Sequence, residues 1–177
     1  MAFQKTPAGT RGKSMPGVNS PISKWVNNFM VRRARGKSDG RFMGMDTLVL
    51  TTTGAKTGQR RQTLLASFPD GDNAWLICAA FGGSAKNPAW YHNIAAHPDQ
   101  VEIAVRGRGV RVTPVQLEGA ERDAAWQRIT TTLPRFNGYA SKTDRELPVI
   151  RLTTAASPAS GGPASDPPAT PEDKTAD

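Results

Sequence analysis

Two short segments of the chain concentrate side chains able to hold an anion and a flat ring. The first, Gly54-Ala55-Lys56-Thr57-Gly58-Gln59-Arg60-Arg61, joins two runs that read as strands. Its glycines permit a tight turn with exposed amides, and Lys56, Thr57, Arg60 and Arg61 add cations and a hydroxyl. Fixed N–H groups and cations in one concave turn are what a phosphate or carboxylate requires. The turn is not a Walker loop: G-x-K-T-G lacks the four residues between Gly and Gly-Lys, and the element that follows is a strand rather than a helix. In isolation an ordinary basic hairpin loop would look the same. The second segment, Gly82-Gly83-Ser84-Ala85-Lys86-Asn87-Pro88-Ala89-Trp90-Tyr91-His92-Asn93, sets a Gly-Gly pair after an apolar run and then opens a helix. Free amides at a helix N-terminus favour anions and carbonyl oxygens. Trp90 and Tyr91 could wall an aromatic ring; each could as well be a core residue of a short helix.

The remaining chemistry-bearing residues are few. Cys78 is the single cysteine, which excludes internal disulfides and multi-cysteine zinc sites, and its apolar surroundings suit a small buried hydrophobe better than a nucleophile. His92 and His97 are five apart, so on a helix they face different ways, and no metal site is expected. The formal charge of the 177 residues is +8, and eight Lys or Arg precede Asp39 without one acid. Nucleic acid, an anionic membrane surface or an anionic small molecule could answer such charge. Nucleic acid is set aside because the aromatics are not interleaved with basic residues along exposed strands, as a stacking platform needs. No apolar run reaches the roughly 20 residues that span a bilayer. There is no secretory pattern either, so the expected location is cytoplasmic.

The elements that must position these segments follow from periodicity. Residues 1–19 are rich in Gly, Pro and basic residues and read as a flexible arm. Ser20 or Ser23 can cap a helix near Pro21 or Lys24, on which Ile22, Trp25, Val26, Phe29 and Met30 form one apolar stripe. That stripe either packs on the domain or meets an anionic membrane peripherally. Thr47–Thr53 reads as a strand; Arg61–Phe68 and Ala74–Phe81 flank an Asp-Gly turn as one hairpin, and Val101–Arg106 and Gly109–Leu117 flank Gly107-Arg108 as a second. Asn87 is expected to cap a helix ending near Ala96, a longer helix covers Glu118–Leu133 with Ala120, Ala124, Trp126 and Ile129 packing, and a short one covers Arg135–Lys142. Val149–Leu152 is a last strand. About six antiparallel strands with flanking helices predict an α+β domain built on a β-barrel over residues 20–154. Residues 155–177, without one Leu, Ile, Val or aromatic residue, read as a disordered tail.

The two segments together, G-x-K-T-G-x-x-R and then G-G-x-x-x-N-P-x-W-Y-x-N, resemble the deazaflavin-dependent nitroreductases, also described as F420-dependent quinone reductases. The likeness runs from about Pro21 to Leu152 and includes Pro134, Phe136, Tyr139, Thr143, Asp144, Arg145 and Pro148-Val149-Ile150. It implies a split β-barrel that binds coenzyme F420, an 8-hydroxy-5-deazaflavin, and passes a hydride to a small electrophilic acceptor such as a quinone, an α,β-unsaturated carbonyl or a nitroaromatic. A carrier without turnover, or an FMN-dependent reductase of the same fold, is the alternative. By likeness, Ala55, Lys56, Thr57, Arg61, Gln62, Thr63, Leu64, Leu65 and Ala66 hold the phosphate-bearing chain and the ring edge. Cys78, Ala79, Ala80, Phe81, Ala89, Trp90, Tyr91, His92 and Asn93 line the ring face and the ribityl chain, Phe136 adds to the site, and Tyr139 is the candidate catalytic residue. The chain departs from the family pattern at Ala80 and Phe81, where Ser and Lys are frequent, and at Leu133 and Phe136, where the nitroimidazole-reducing member has tyrosines.

Overall fold

The computed structural model describes residue 3 and residues 5–14, 20–35, 40–42 and 44–155. The C-terminal tail expected to be disordered lies, from residue 156 onward, outside the described residues.

Helix α1 (Pro21–Arg35) begins as its sequence requires: the Ser23 amide donates to the Ser20 hydroxyl at 3.1 Å, and Pro21 takes the first helical position. Eight strands follow the sequence closely. They are β1 (Arg41–Phe42), β2 (Met45–Thr53), β3 (Arg60–Ala66), β4 (Phe68–Pro69), β5 (Ala74–Cys78), β6 (Glu102–Val105), β7 (Arg108–Gln116) and β8 (Val149–Thr154). All pairs are antiparallel, in the order β1-β2-β6-β7-β8-β5-β4, with β3 added on β2. Six of the eight have four residues or more, as periodicity predicts, and they form the curled sheet of a split barrel. Helices α2 (Ala89–Ala96), α3 (Gly119–Thr132) and α4 (Arg135–Ala140) flank it.

Strands β5 and β8 are buried on both faces, and this divides the core in two. Ile77, Ala79, Ile150 and Leu152 join Leu48, Leu50, Tyr91, Ile94 and Ile103 on one side. On the other, Leu76, Ala80 and Val149 join Phe68, Ala125, Ile129, Phe136 and Leu147 beneath α3 and α4. Asp70 locks the second side at its edge, because Arg151 and Arg128 reach it at 2.6 and 2.7 Å. Burial alone would raise its pKa, but the two arginines outweigh that and hold it below the ordinary value.

Several expectations are corrected. The run Arg61–Phe68 is not one strand: the chain changes partner at Ser67, so β3 pairs β2 while β4 pairs β5 only through Phe68 and Pro69. The Ser67 amide donates to Asp46 O at this crossing. Asn87 does not cap α2, whose N-cap is Pro88. Its side chain is drawn away to Thr6 O and Arg145. On α3 the buried residues are Ala125 and Ile129, while Ala120 and Ala124 are exposed.

Of the two readings open for the stripe on α1, packing on the domain is the one corrected. Ile22, Trp25, Val26 and Phe29 remain 74, 67, 42 and 52% exposed, and the helix seats itself instead through Val31 and an Asn27 bond to Gln62 O.

Residues 5–14, read from composition as a free arm, lie along the domain. Thr6 alone uses three groups: its amide donates to the Tyr91 hydroxyl, its carbonyl accepts from Asn87, and its hydroxyl accepts from Gln116. Further on, Gly9 N bonds Ala85 O and Lys13 N bonds Gly83 O, both at 2.8 Å. Gly12 presses so close that a Cβ there would fall 2.1 Å from Ala85 N, so glycine is needed for the approach. Asp144 completes the attachment. The Thr10 hydroxyl foremost, then the Arg11 and Thr10 amides, hold its carboxyl at about 2, below the ordinary 3.8. A depressed carboxyl contributes fully above its unfolded pKa and loses its contribution as pH falls through the folded value. The amide shifts of Thr10 and Arg11 should therefore move together as pH drops from about 3.8 through about 2. In Asp144→Asn that titration step should vanish.

Candidate cofactor site

The turn from β2 to β3 and the first two turns of α2 face each other across an open cavity of about 480 Å³. That size suits a cofactor-scale ligand. Gly54, Ala55, Lys56 and Thr57 form one wall, Arg61, Gln62 and Thr63 continue it along β3, and Ala89, Trp90, His92 and Asn93 supply the other. Parts of the two segments singled out by residue type, although remote in sequence, thus line one cavity.

The turn is shaped from within. Gly54 N donates to Gln59 O and Gly58 N to Gly54 O, each at 2.8 Å, and Gly58 takes a left-handed φ of 65°. A Cβ on Gly54 would meet Thr57 Oγ1 at 2.8 Å. Asn93, buried on α2, fastens the turn to the opposite wall. Its Oδ1 accepts from Ala55 N at 3.0 Å, and its Nδ2 donates to Thr52 Oγ1 at 3.1 Å. The amides expected to be exposed are thus partly engaged: those of Ala55, Thr57 and Gly58 all have protein partners. What the cavity offers an anion is chiefly side-chain charge.

The three cations of the turn are not equivalent. Arg60 is paired with Glu102 at 2.6 Å. Among the described residues no carboxylate pairs with Lys56 or Arg61; Arg61 donates to the neutral Gln59 amide at 2.8 Å. Across the cavity, burial first and then nearby Lys5 lower the pKa of His92 from its ordinary value, which favours the neutral imidazole.

The other expected site residues fall elsewhere. Leu64 lines a separate cavity near Ala34 of α1, and Leu65 and Ala66 pack against the two core clusters. Tyr91 is fully buried; its hydroxyl donates to Gln116 at 2.7 Å, so it supports α2 from behind rather than walling a ring. Trp90 both lines the cavity and belongs to the core. Ala79 and Ala80 are buried, and desolvation pushes the Cys78 thiol up to about 12, which makes it inert. Phe81 opens a turn of three successive left-handed residues, with φ of 46, 64 and 83° at Phe81, Gly82 and Gly83. Gly83 has Tyr139 O only 2.6 Å from where a Cβ would be, which ties this turn to α4. On α4, Phe136 and Tyr139 stack edge to face at 5.4 Å, and Lys142 lies 5.8 Å above the tyrosine ring. Arg145 enters the sequence reading only as part of the family likeness, without a role, and Lys5 does not enter it. The first is buried around the Ser84–Asn87 turn and the second stands beside His92, but neither has a local motif that would reveal it.

A curled antiparallel sheet that sets a cationic turn across a cavity from α2 suits an anionic cofactor. The family model of the F420H(2)-dependent quinone reductases matches residues 24–154. An F420H(2)-dependent quinone reductase of Mycobacterium tuberculosis (strain ATCC 25618 / H37Rv) is 37% identical over 146 residues, covering 75% of this chain and 97% of that protein. The solved F420-H2 dependent reductase FDR-A is 33% identical with a TM-score of 0.55, over 60% of this chain and 92% of its own. A second solved structure, a domain-swapped dimer, is 30% identical with a TM-score of 0.57, over 74% and 98% of the two chains. The chain belongs to the F420H(2)-dependent quinone reductase family, and its cofactor is F420. The site fits that group: Lys56 and Arg61, without carboxylate partners among the described residues, stand at a cavity of cofactor size.

Proposed function

We propose that the chain binds F420 with its anionic chain on Lys56, Thr57 and Arg61 and reduces a lipophilic electrophilic acceptor. The observation that carries the reading is the convergence of these side chains with Ala89, Trp90, His92 and Asn93 on one cavity. Reduced F420 supplies a hydride from a ring carbon. The residues of the chain bind, orient and exclude water, which is the protein's share in cofactor chemistry. Quinones and α,β-unsaturated carbonyls are the favoured acceptors. Nitroaromatics are less so, because Leu133 and Phe136 offer no hydroxyl near Tyr139. Tyr139 does not line this cavity, so its part in placing the acceptor rests on the family likeness alone. Steady-state oxidation of reduced F420 with menadione is the test: turnover is expected, and stoichiometric binding without turnover would make the protein a carrier.

A second reading concerns α1. Full burial of a large apolar side chain contributes about 1.5–3 kcal/mol, a gain that Ile22, Trp25 and Phe29 forgo on the described surface. Trp25 and Phe29 stack at 5.9 Å, and Arg32 and Arg33 are exposed on the same helix. An apolar face flanked by basic residues suits an anionic lipid surface, from which a lipophilic acceptor would be drawn. No helix among the described residues is long and apolar enough to cross a membrane. Anionic vesicles should therefore pellet the protein at low salt and release it as salt rises, since screening acts over about 8–10 Å at physiological ionic strength. Protein that stays in the supernatant at low salt would reject peripheral binding.

A further inference from the structure

Arg145 lies on the connection from α4 to β8 and is 5% exposed. A buried guanidinium ordinarily has a carboxylate beside it. Here, among the described residues, its partners are neutral oxygens. Its Nη2 donates to Ala79 O at 3.0 Å, Ser84 O at 3.2 Å and Ala80 O at 3.4 Å, and its Nη1 to Asn87 Oδ1 at 2.5 Å and Glu146 O at 3.5 Å. The Nε group reaches Ser84 O at 3.3 Å. Desolvation draws its pKa below the ordinary value, but a guanidinium remains charged at neutral pH.

The identity of these oxygens is informative. Pairing of β5 with β8 ends at Cys78↔Val149, so the carbonyls of Ala79 and Ala80 lie beyond the sheet ladder. Ala79 N still bonds Pro148 O, and Ala80 O accepts from Gly83 N at 2.9 Å, so of the two carbonyls it is chiefly that of Ala79 that must be satisfied otherwise. Arg145 gathers them together with Ser84 O and Asn87 Oδ1, and so closes a ring of contacts around the three left-handed residues Phe81–Gly83. Asn87 stands two residues before α2, whose Ala89, Trp90, His92 and Asn93 face the cofactor cavity. On the outer side, Gly9 and Lys13 of the N-terminal segment bond Ala85 O and Gly83 O, and Thr10 and Arg11 hold Asp144, the residue next to Arg145. The arm lies outside residues 24–154, the span matched by the family model.

We propose that Arg145 is a positioning residue for F420: its guanidinium fixes the Ala79–Asn87 segment, and through it the start of α2, in the shape that receives the coenzyme. The proposal rests on the reading that these segments border F420. A planar fork with five donors suits this task, whereas the ammonium of lysine, with three donors on a flexible stem, cannot reach the same set of oxygens at once.

The test uses the full-length protein with Arg145→Met, Arg145→Lys and Asn87→Ala. Amide exchange in the apo proteins should show protection lost at residues 80–88 and kept in β6 and β7. Titration with F420 should show Kd raised at least tenfold in Arg145→Met and Asn87→Ala, with partial recovery in Arg145→Lys. KM for reduced F420 should rise while KM for menadione stays within twofold. Should Arg145→Met fail to fold, Asn87→Ala and Arg145→Lys give the same readouts. Folded variants with F420 Kd within twofold of wild type would overturn the positioning role and leave Arg145 a stabilising residue only. Wild-type protein that fails to bind F420 would overturn the reading beneath it, while the exchange data would still report whether Arg145 orders the turn.

Discussion

Lys56→Ala and Arg61→Ala should each weaken F420 binding by about 1.5–3 kcal/mol, the range for a hydrogen bond to a charged group, or roughly one to two orders of magnitude in Kd. Exposed ion pairs usually contribute less, about 0–1 kcal/mol, because water screens them and long side chains must be ordered. Two features favour the larger figure here. The turn that carries Lys56 is pinned by Gly54 and by Asn93, so part of the ordering is complete before the ligand arrives. The two cations also converge on one cavity with Thr57 and can act on the same anionic chain. Arg60 is the internal control. Its charge is spent on Glu102, so Arg60→Ala should change affinity by no more than about 1 kcal/mol. Fluorescence titrations at two salt concentrations measure all three, and the Lys56 and Arg61 effects should shrink as salt rises. Equal, small effects at the three positions would mean that the turn is only a surface loop.

Asn93→Leu should lower both stability and coenzyme affinity. The substitution leaves Ala55 N and the buried Thr52 hydroxyl without their partner, at about 1–3 kcal/mol. In a chain of this size that is roughly 2–4 °C in Tm per kcal/mol. It also unties the cationic turn from α2, so F420 affinity should fall by more than the loss of one contact. Asn93→Asp separates the two consequences. A carboxylate can still accept from Ala55 N and from a rotated Thr52 hydroxyl, so the Tm should fall less than in the leucine variant. It brings a negative charge to a site for an anion, however, so affinity should fall at least as far. Differential scanning calorimetry and the F420 titration are read side by side. A variant with normal Tm and normal affinity would show that Asn93 joins nothing of consequence.

Much of the fold was legible because it rests on periodicity and on turn residues. The β6–β7 hairpin follows from alternation around Gly107, which takes a left-handed φ of 76°, and α1 follows from Ser20 and Pro21 at its start. The crossing at Ser67 was not legible, since Leu64 to Phe68 has no Gly, Pro or charged residue to mark a break and alternation does not say which strand lies alongside. The docking of residues 5–14 was hidden for another reason. It uses backbone amides and carbonyls and close glycine approaches, which any polar, Gly-rich stretch possesses. Within the site, the two motif segments were found from residue type alone, but side-chain direction was not. Tyr91 and Trp90 are neighbours on α2, and a helix turns about 100° per residue, so one reaches the cavity while the other is wholly buried. Arg145, between Asp144 and Glu146 in a polar run, belongs to the family likeness but carries no local sign of its burial, which only tertiary structure reveals.

The most direct measurement is a pair of equilibrium titrations of the purified chain, one with F420 and one with FMN. On the proposed placement, Lys56, Thr57 and Arg61 would meet the phosphodiester and γ-glutamate tail of F420, which carry more negative charge than FMN does. Saturable F420 binding on the order of micromolar or tighter, with FMN at least tenfold weaker, is the expected result. Micromolar FMN binding with no detectable F420 binding would contradict it.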